Sequence, residues 1–149
     1  MTPKLPVSVL VVVYTVKLDV LLLERAGRPG YWQSVTGSLD RSDEPLEAAA
    51  ARELAEETGI AAATGALRGW NLTNTFEIYP QWRHRFAPGT LYNTEHVFGF
   101  RLAERVPVRL AAEEHDAFLW LSWRDAAARC FSWTNRDAIR LLGEGVVLS

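Results

Sequence analysis

The stretch RELAEETGI, residues 52–60, places Glu53, Glu56 and Glu57 within five consecutive positions. At about 100° per residue of helix, these three carboxylates project within a narrow arc. Glu53 and Glu57 form an i,i+4 like-charge pair, which costs a few tenths of a kcal/mol in an isolated helix. A divalent cation is one candidate for offsetting that repulsion. The stretch reads as the second half of a helix running from about Pro45 to Thr58. Pro45 suits the first turn, where its missing N–H costs nothing, and Gly59 suits the C-terminal end. Leu46, Ala50 and Leu54 form the apolar stripe, and the alanines at 48–51 suit close packing on a sheet. Glu44 lies at the helix start, where the helix dipole favours a carboxylate. Arg52, about two turns later, is spaced to pair with Glu44 or, at i,i+4, with Glu56.

Outward from this helix the pattern changes to that of strands. Pro6–Val16 is rich in Val and Leu and predicts a buried strand. Lys17-Leu18-Asp19 predicts a turn into a second strand, Val20–Glu24, so the two form a hairpin. Arg25–Tyr31, with Gly27, Pro29 and Gly30, is loop, and Trp32–Val35 is a short strand ending at Gly37. Ser38–Asp43 is a polar loop. Leu67–Ile78, His96–Leu102 and Phe118–Trp123 are strand-like, with a polar loop at Tyr79–Thr94. A last helix is expected over Ser132–Leu142, capped by Ser132 or Thr134, with Ala138, Ile139 and Leu142 on its inner face. Strands interleaved with two helices predict a mixed sheet flanked by helices, and 149 residues suit a single domain, 1–149.

Composition narrows the function. Apolar residues make up 48% and charged residues 23%, as in an ordinary globular protein, and the net charge is −2. No basic stripe marks a nucleic-acid surface. No apolar run reaches the roughly 20 residues that span a bilayer, since Lys17 and Asp19 interrupt the N-terminal ones. No signal peptide is expected, and the cytoplasm is the default location. Cys130 is the sole cysteine, so an intrachain disulfide and a cysteine zinc site are both excluded; its apolar neighbours favour an inert core thiol.

Taken together, Gly37-x6-Glu44-x7-Arg52-Glu53-Leu54-x-Glu56-Glu57-x-Gly59-Ile60 resembles the Nudix box. Six residues rather than the usual five separate the glycine from the first glutamate. Either the loop carries an extra residue or Asp43 takes the first acidic role. The resemblance implies a Nudix-type α/β/α sandwich with a mixed β-sheet. It also implies a Mg²⁺-dependent hydrolase, with Mn²⁺ as the alternative ion, acting on a nucleotide-like triphosphate. Carried over residue by residue, Glu53 and Glu57 are the leading metal ligands, Glu56 is a ligand or the base that orients water, and Arg52 holds the glutamates in place. Glu114, in the Glu114-His115…Trp120-Leu121 stretch, is a further metal ligand or base, with Glu113 adjacent to it.

The segments Tyr31–Ser38, Arg83–Gly89, Asn93–Glu95 and Ser132–Arg136 are similar to the branch of that family that releases pyrophosphate from dihydroneopterin triphosphate in folate synthesis. That likeness, with residue type, makes Trp32, Gln33, Ser34, Arg83, His84, Arg85, Asn93, Trp133 and Asn135 the candidate substrate-binding set. Arg83 and Arg85 would face one side as a phosphate clamp, and Trp32 or Trp133 would stack on the pterin. Gln33 and Asn135 would meet the pterin edge. The rival readings are a house-cleaning nucleoside triphosphatase and a nucleotide sensor without turnover.

Overall fold

The computed structural model describes residues 2–146. Seven strands form one mixed sheet: β1 (Val7–Thr15), β2 (Asp19–Arg25), β3 (Trp32–Gln33), β4 (Val35–Ser38), β5 (Ala66–Glu77), β6 (Tyr92–Leu102) and β7 (His115–Ser122). Three α-helices flank it: α1 (Leu46–Thr58), α2 (Trp123–Arg129) and α3 (Trp133–Gly143). The main strand path is β3-β2-β1-β6-β5, with β4 also paired to β1 and β7 to β2. The β1–β6 pair is parallel, while β1–β2, β1–β4, β2–β3, β2–β7 and β5–β6 are antiparallel.

Strand β1 is the spine, and its two-residue period divides the core. Val9, Val11 and Val13 pack with Ala49, Ala50 and Leu54 of α1, whereas Leu10, Val12 and Tyr14 pack with Ala126 of α2 and Ala138, Ile139 and Leu142 of α3. Both faces of the sheet are therefore covered by helices, which is the sandwich expected from the alternation of elements. One edge of β1 is shared: Ser8–Val11 pair with β4, and Tyr14 pairs with Val20 of β2. From there β2 runs along β7 and β3.

Several boundaries differ from expectation. The strand expected over Trp32–Val35 is two strands broken at Ser34, whose backbone N–H donates to Asn135 Oδ1 at 2.7 Å and whose hydroxyl accepts from Asn135 Nδ2 at 2.9 Å. Strand β6 begins at Tyr92 rather than His96, because Tyr92–Glu95 continue the ladder with Asn74–Glu77. The expected 79–94 loop holds a 3-10 turn at Pro80–Arg85. Trp123 does not close a strand but opens α2, whose three alanines, with Asp125 in the first turn and Arg129 in the last, are helix-forming features. Gly59 ends α1 in the left-handed conformation (φ 73°), and Ser132 caps α3 by accepting from Asn135 N–H. Among the described residues, no helix is long and apolar enough to cross a membrane.

Candidate active site

The loop from Gly37 into α1 is closed by Arg52. Its Nε and Nη2 donate to Glu44 Oε2 and Oε1 at 3.0 and 3.1 Å, Nη2 donates to the Ser38 carbonyl at 3.1 Å, and Nη1 donates to Glu53 Oε1 at 2.7 Å. Nη1 also reaches Glu56 Oε2 at 3.3 Å. Glu44 Oε1 accepts from the Asp40 N–H in addition, and these donors hold its carboxyl below the ordinary range. Glu44 is buried, whereas Asp43 is exposed and pairs with Arg41. The extra loop residue is thus absorbed between Gly37 and Glu44, and Glu44 takes the first acidic position.

The three glutamates of α1 separate in space. Glu53 and Glu57 are buried, and the Glu56 side chain is 53% exposed. Gly37 is the counterpart of Glu53: the Glu53 carboxylate occupies the space that any side chain at residue 37 would need. Burial, with Glu53 and Glu114 nearby, raises the Glu57 carboxyl well above its ordinary value. Burial also raises Glu53, against the lowering pull of Arg52. Glu57 Oε1 and His115 Nδ1 are buried without a hydrogen-bond partner. Glu57, Glu114 and His115 each bring a ligand atom within 4.8 Å of the others. Burial, with Arg25 alongside, pushes His115 down to about 4, so its ring is neutral near pH 7. An unpartnered buried carboxylate oxygen within a largely acidic group fits a hard divalent cation.

Arg25 stands opposite His115 at a bulge between β2 and β7, and the Ala26 N–H donates to the Glu114 carbonyl at 2.8 Å. This pairing brings Glu114, rather than Glu113, into the group with Glu57, although both line the same cavity. That cavity, about 610 Å³, contains Glu53, Glu56 and Glu57 together with Lys4, Arg25, Arg28 and Arg85. A second cavity of about 330 Å³ adjoins it, walled by Phe76, Tyr79, Trp82, Phe86, Phe131 and Trp133. Lys4, Arg25, Gln33, Thr36, Gly37, Ser38 and Arg85 line both. The shared basic residues crowd one another: after burial, Arg85 and Arg25 are the main causes lowering Lys4, and Arg85 and Arg28 those lowering Arg25. A cluster of mutually repelling cations has the charge to attract an anion.

The sequence-based candidates divide accordingly. Gln33, Arg85, Asn93, Trp133 and Asn135 line the aromatic cavity. Asn135 is committed at both ends to Ser34, which is fully buried and serves to anchor that strand break. Trp32 is also packed in the core, against the α2–α3 side of the sheet, and lines neither cavity, so Trp133 is the one of the two tryptophans that faces the site. Arg83 and His84 line neither cavity. A 3-10 turn, not a strand, carries them, so Arg83 and Arg85 do not share a side; Arg83 instead donates to the Ile78 carbonyl and pairs with Glu77. Lys4, Trp82, Glu95 and His115 are site-lining residues that sequence reasoning did not single out as site candidates. The Cys130 thiol, pushed up to about 12 by burial, stays protonated and packs against the core.

A helix that buries Glu53 and Glu57, an arginine that locks it to the preceding loop, and a mixed sheet between helices define a class, and the chain belongs to the NUDIX family, whose domain it matches over residues 4–142. It is a Nudix hydrolase by homology as well: it is 42% identical over 139 residues to the dihydroneopterin triphosphate diphosphatase of Escherichia coli K12, covering 91% of each chain. It is 39% identical over 137 residues to the Haemophilus influenzae protein of the same name, covering 89% of this chain and 84% of that one. The solved structure of the E. coli dihydroneopterin triphosphate pyrophosphohydrolase superposes with a TM-score of 0.86 over 93% of this chain and 95% of that one. Nudix hydrolases use divalent metals, consistent with the acidic group described above.

Proposed function

We propose that this chain is a Mg²⁺-dependent pyrophosphohydrolase of dihydroneopterin triphosphate, releasing pyrophosphate and the monophosphate. The observation that carries this reading is the junction of the two cavities. A flat heterocycle fits between aromatic walls, a polyphosphate extends past Lys4, Arg25 and Arg85, and the chain of phosphates ends among the glutamates. The likeness to the E. coli and H. influenzae enzymes supports the choice of heterocycle.

Glu53, Glu57 and Glu114 would hold Mg²⁺, with Glu56 at the open side as a further ligand or as the base. Such an ion supplies charge neutralisation at phosphate oxygens and favours ionisation of water. Arg52 keeps Glu53 oriented and ties the loop to the helix. Lys4, Arg25 and Arg85 bind non-bridging phosphate oxygens and offset the charge that grows on the leaving pyrophosphate. Water attacks phosphorus, the α–β anhydride linkage breaks, and the water proton passes to a carboxylate, a role open to the exposed Glu56. Trp133 and the other aromatic walls stack on the ring.

The test is a comparison of kcat/KM for dihydroneopterin triphosphate with a panel of dNTPs. The pterin substrate is expected to exceed each nucleotide by tenfold or more. A higher kcat/KM on any dNTP would overturn the pterin assignment in favour of nucleotide house-cleaning, and absence of turnover on all of them would favour a sensor.

A further inference from the structure

The aromatic cavity contains polar atoms that nothing in the protein satisfies. Glu95 is 5% exposed and lines the cavity, and its Oε1 has no hydrogen-bond partner. Burial raises the pKa of this carboxyl, and the neighbouring Thr134 and Asn74 side chains oppose that rise. Asn93, two residues earlier on β6 and so on the same face of the strand, donates from Nδ2 to Ser8 Oγ at 2.7 Å and leaves Oδ1 buried and unpartnered in the same cavity. Buried acceptors without donors are costly and uncommon, and a ligand that brings donors into this cavity would satisfy both. The surrounding surface is aromatic, with Tyr79–Trp82 and Trp82–Phe131 centroids 5.3 and 6.0 Å apart. The ligand portion that fits is flat, and it carries N–H groups on the edge facing β6.

We propose that Glu95 is the residue that selects the heterocycle: its free oxygen accepts from the adjacent ring N–H and exocyclic amino group of a 2-amino-4-oxopyrimidine edge, with Asn93 Oδ1 as a second acceptor. Pterins and guanine share that edge; adenine and the pyrimidine bases do not. Burial pushes the Glu95 carboxyl up to about 7, and N–H donors from a ligand favour its ionised form. A buried acceptor of this kind discriminates strongly, because a ligand without the donor leaves it unsatisfied. The inference rests on the reading of this cavity as the heterocycle site and adds which edge is read, and by which atoms.

The experiment measures binding of phosphate-free ligands without metal, followed through quenching of the tryptophans that line the cavity. The ligands are neopterin and its 2-deamino counterpart, and guanosine and inosine. For the wild-type chain, the amino-bearing member of each pair is expected to bind about tenfold or more tightly than its partner. In Glu95→Leu, which leaves no acceptor at this position, both ratios should fall close to one while the melting temperature stays near that of the wild type. KM for the triphosphate substrate should rise about tenfold with kcat changed less than threefold, since Glu95 is outside the acidic cavity. A folded Glu95→Leu that keeps the wild-type ratios overturns the assignment. Wild-type ratios near one overturn it as well, whether or not the variant folds. If a dNTP instead proves the better substrate, the pterin reading fails, and the guanosine-to-inosine ratio still decides the role of Glu95 by itself.

Discussion

Arg52 grips Glu44 with both sides of its guanidinium fork, Nε to Oε2 at 3.0 Å and Nη2 to Oε1 at 3.1 Å, across eight residues of chain. Glu44 is buried and Arg52 is partly exposed, with a side-chain exposure of 21%. A lysine at residue 52 keeps the charge but cannot make both contacts and also reach the Ser38 carbonyl. Arg52→Lys is expected to lower stability by about 2–4 kcal/mol, because Glu44 is left with too few donors. A urea midpoint equal to the wild type would show that the loop does not depend on this fork.

The contact between Gly37 and Glu53 predicts a different signature. Gly37→Ala places a methyl group where the Glu53 carboxylate lies. That carboxylate is the far end of a flexible side chain, so its displacement should cost only about 1 kcal/mol of stability. Its ligand geometry is lost all the same, and metal affinity should fall by about 10–100-fold. Titration with Mn²⁺, followed by its paramagnetic relaxation, separates the two effects; unchanged affinity would remove Glu53 from the ligand set.

Glu57 links the site to pH. An unfolded glutamate ionises near its ordinary value, while folded Glu57 keeps its proton to higher pH because it is buried beside Glu53 and Glu114. Above about pH 4.5 Glu57 therefore binds its proton more in the folded state than in the unfolded one, and its contribution to stability without metal falls as pH rises, while His115, pushed down to about 4, opposes this slope between about pH 4 and 6.5. Glu95, at about 7, adds to the same slope. Mg²⁺ should raise the melting temperature more at pH 7 than at pH 5, since it offsets the charge that the proton otherwise removes. Glu57→Gln should melt at or above the wild-type temperature without metal at pH 7, lose the Mg²⁺ response, and lose about 10²-fold or more in kcat. Retained turnover in that variant would count against Glu57 as a ligand.

Arg83 and Arg85 have opposite expectations despite their spacing. Arg85 lies at the junction of the cavities, and Arg83 is tied to Ile78 and Glu77. Arg85→Ala should raise KM for the triphosphate about tenfold or more, as expected for loss of a charge-assisted phosphate contact, with a steeper loss at low salt. Arg83→Ala should leave KM within twofold. Steady-state kinetics on both variants, side by side, would reverse the assignment if Arg83 proved the sensitive one.

What could be read from the chain alone was local. The helix ending at Gly59, the stripe of Leu46, Ala50 and Leu54, the Val-rich spine and the Glu-rich helical face are all set by residues within one or two turns of each other, and each formed close to where expected. Helix α2 was equally local, and its Ala126-Ala127-Ala128 run could have revealed it. The identity of the acid that meets Arg52 was not local: Asp43 and Glu44 differ by one residue in sequence, and only burial distinguishes them. The same holds for Lys4, which carries no neighbouring motif, and for Glu95 and His115, which lie in family-like segments whose pattern does not say that their side chains line the site. Trp32 and Trp133 look alike in sequence, yet one is packed between sheet and helices while the other lines a cavity. Periodicity and capping act through neighbouring residues and so determined the elements; desolvation, cation crowding and unpartnered oxygens arise between strands far apart in the chain, so only the tertiary structure decided which charged and aromatic side chains became the site.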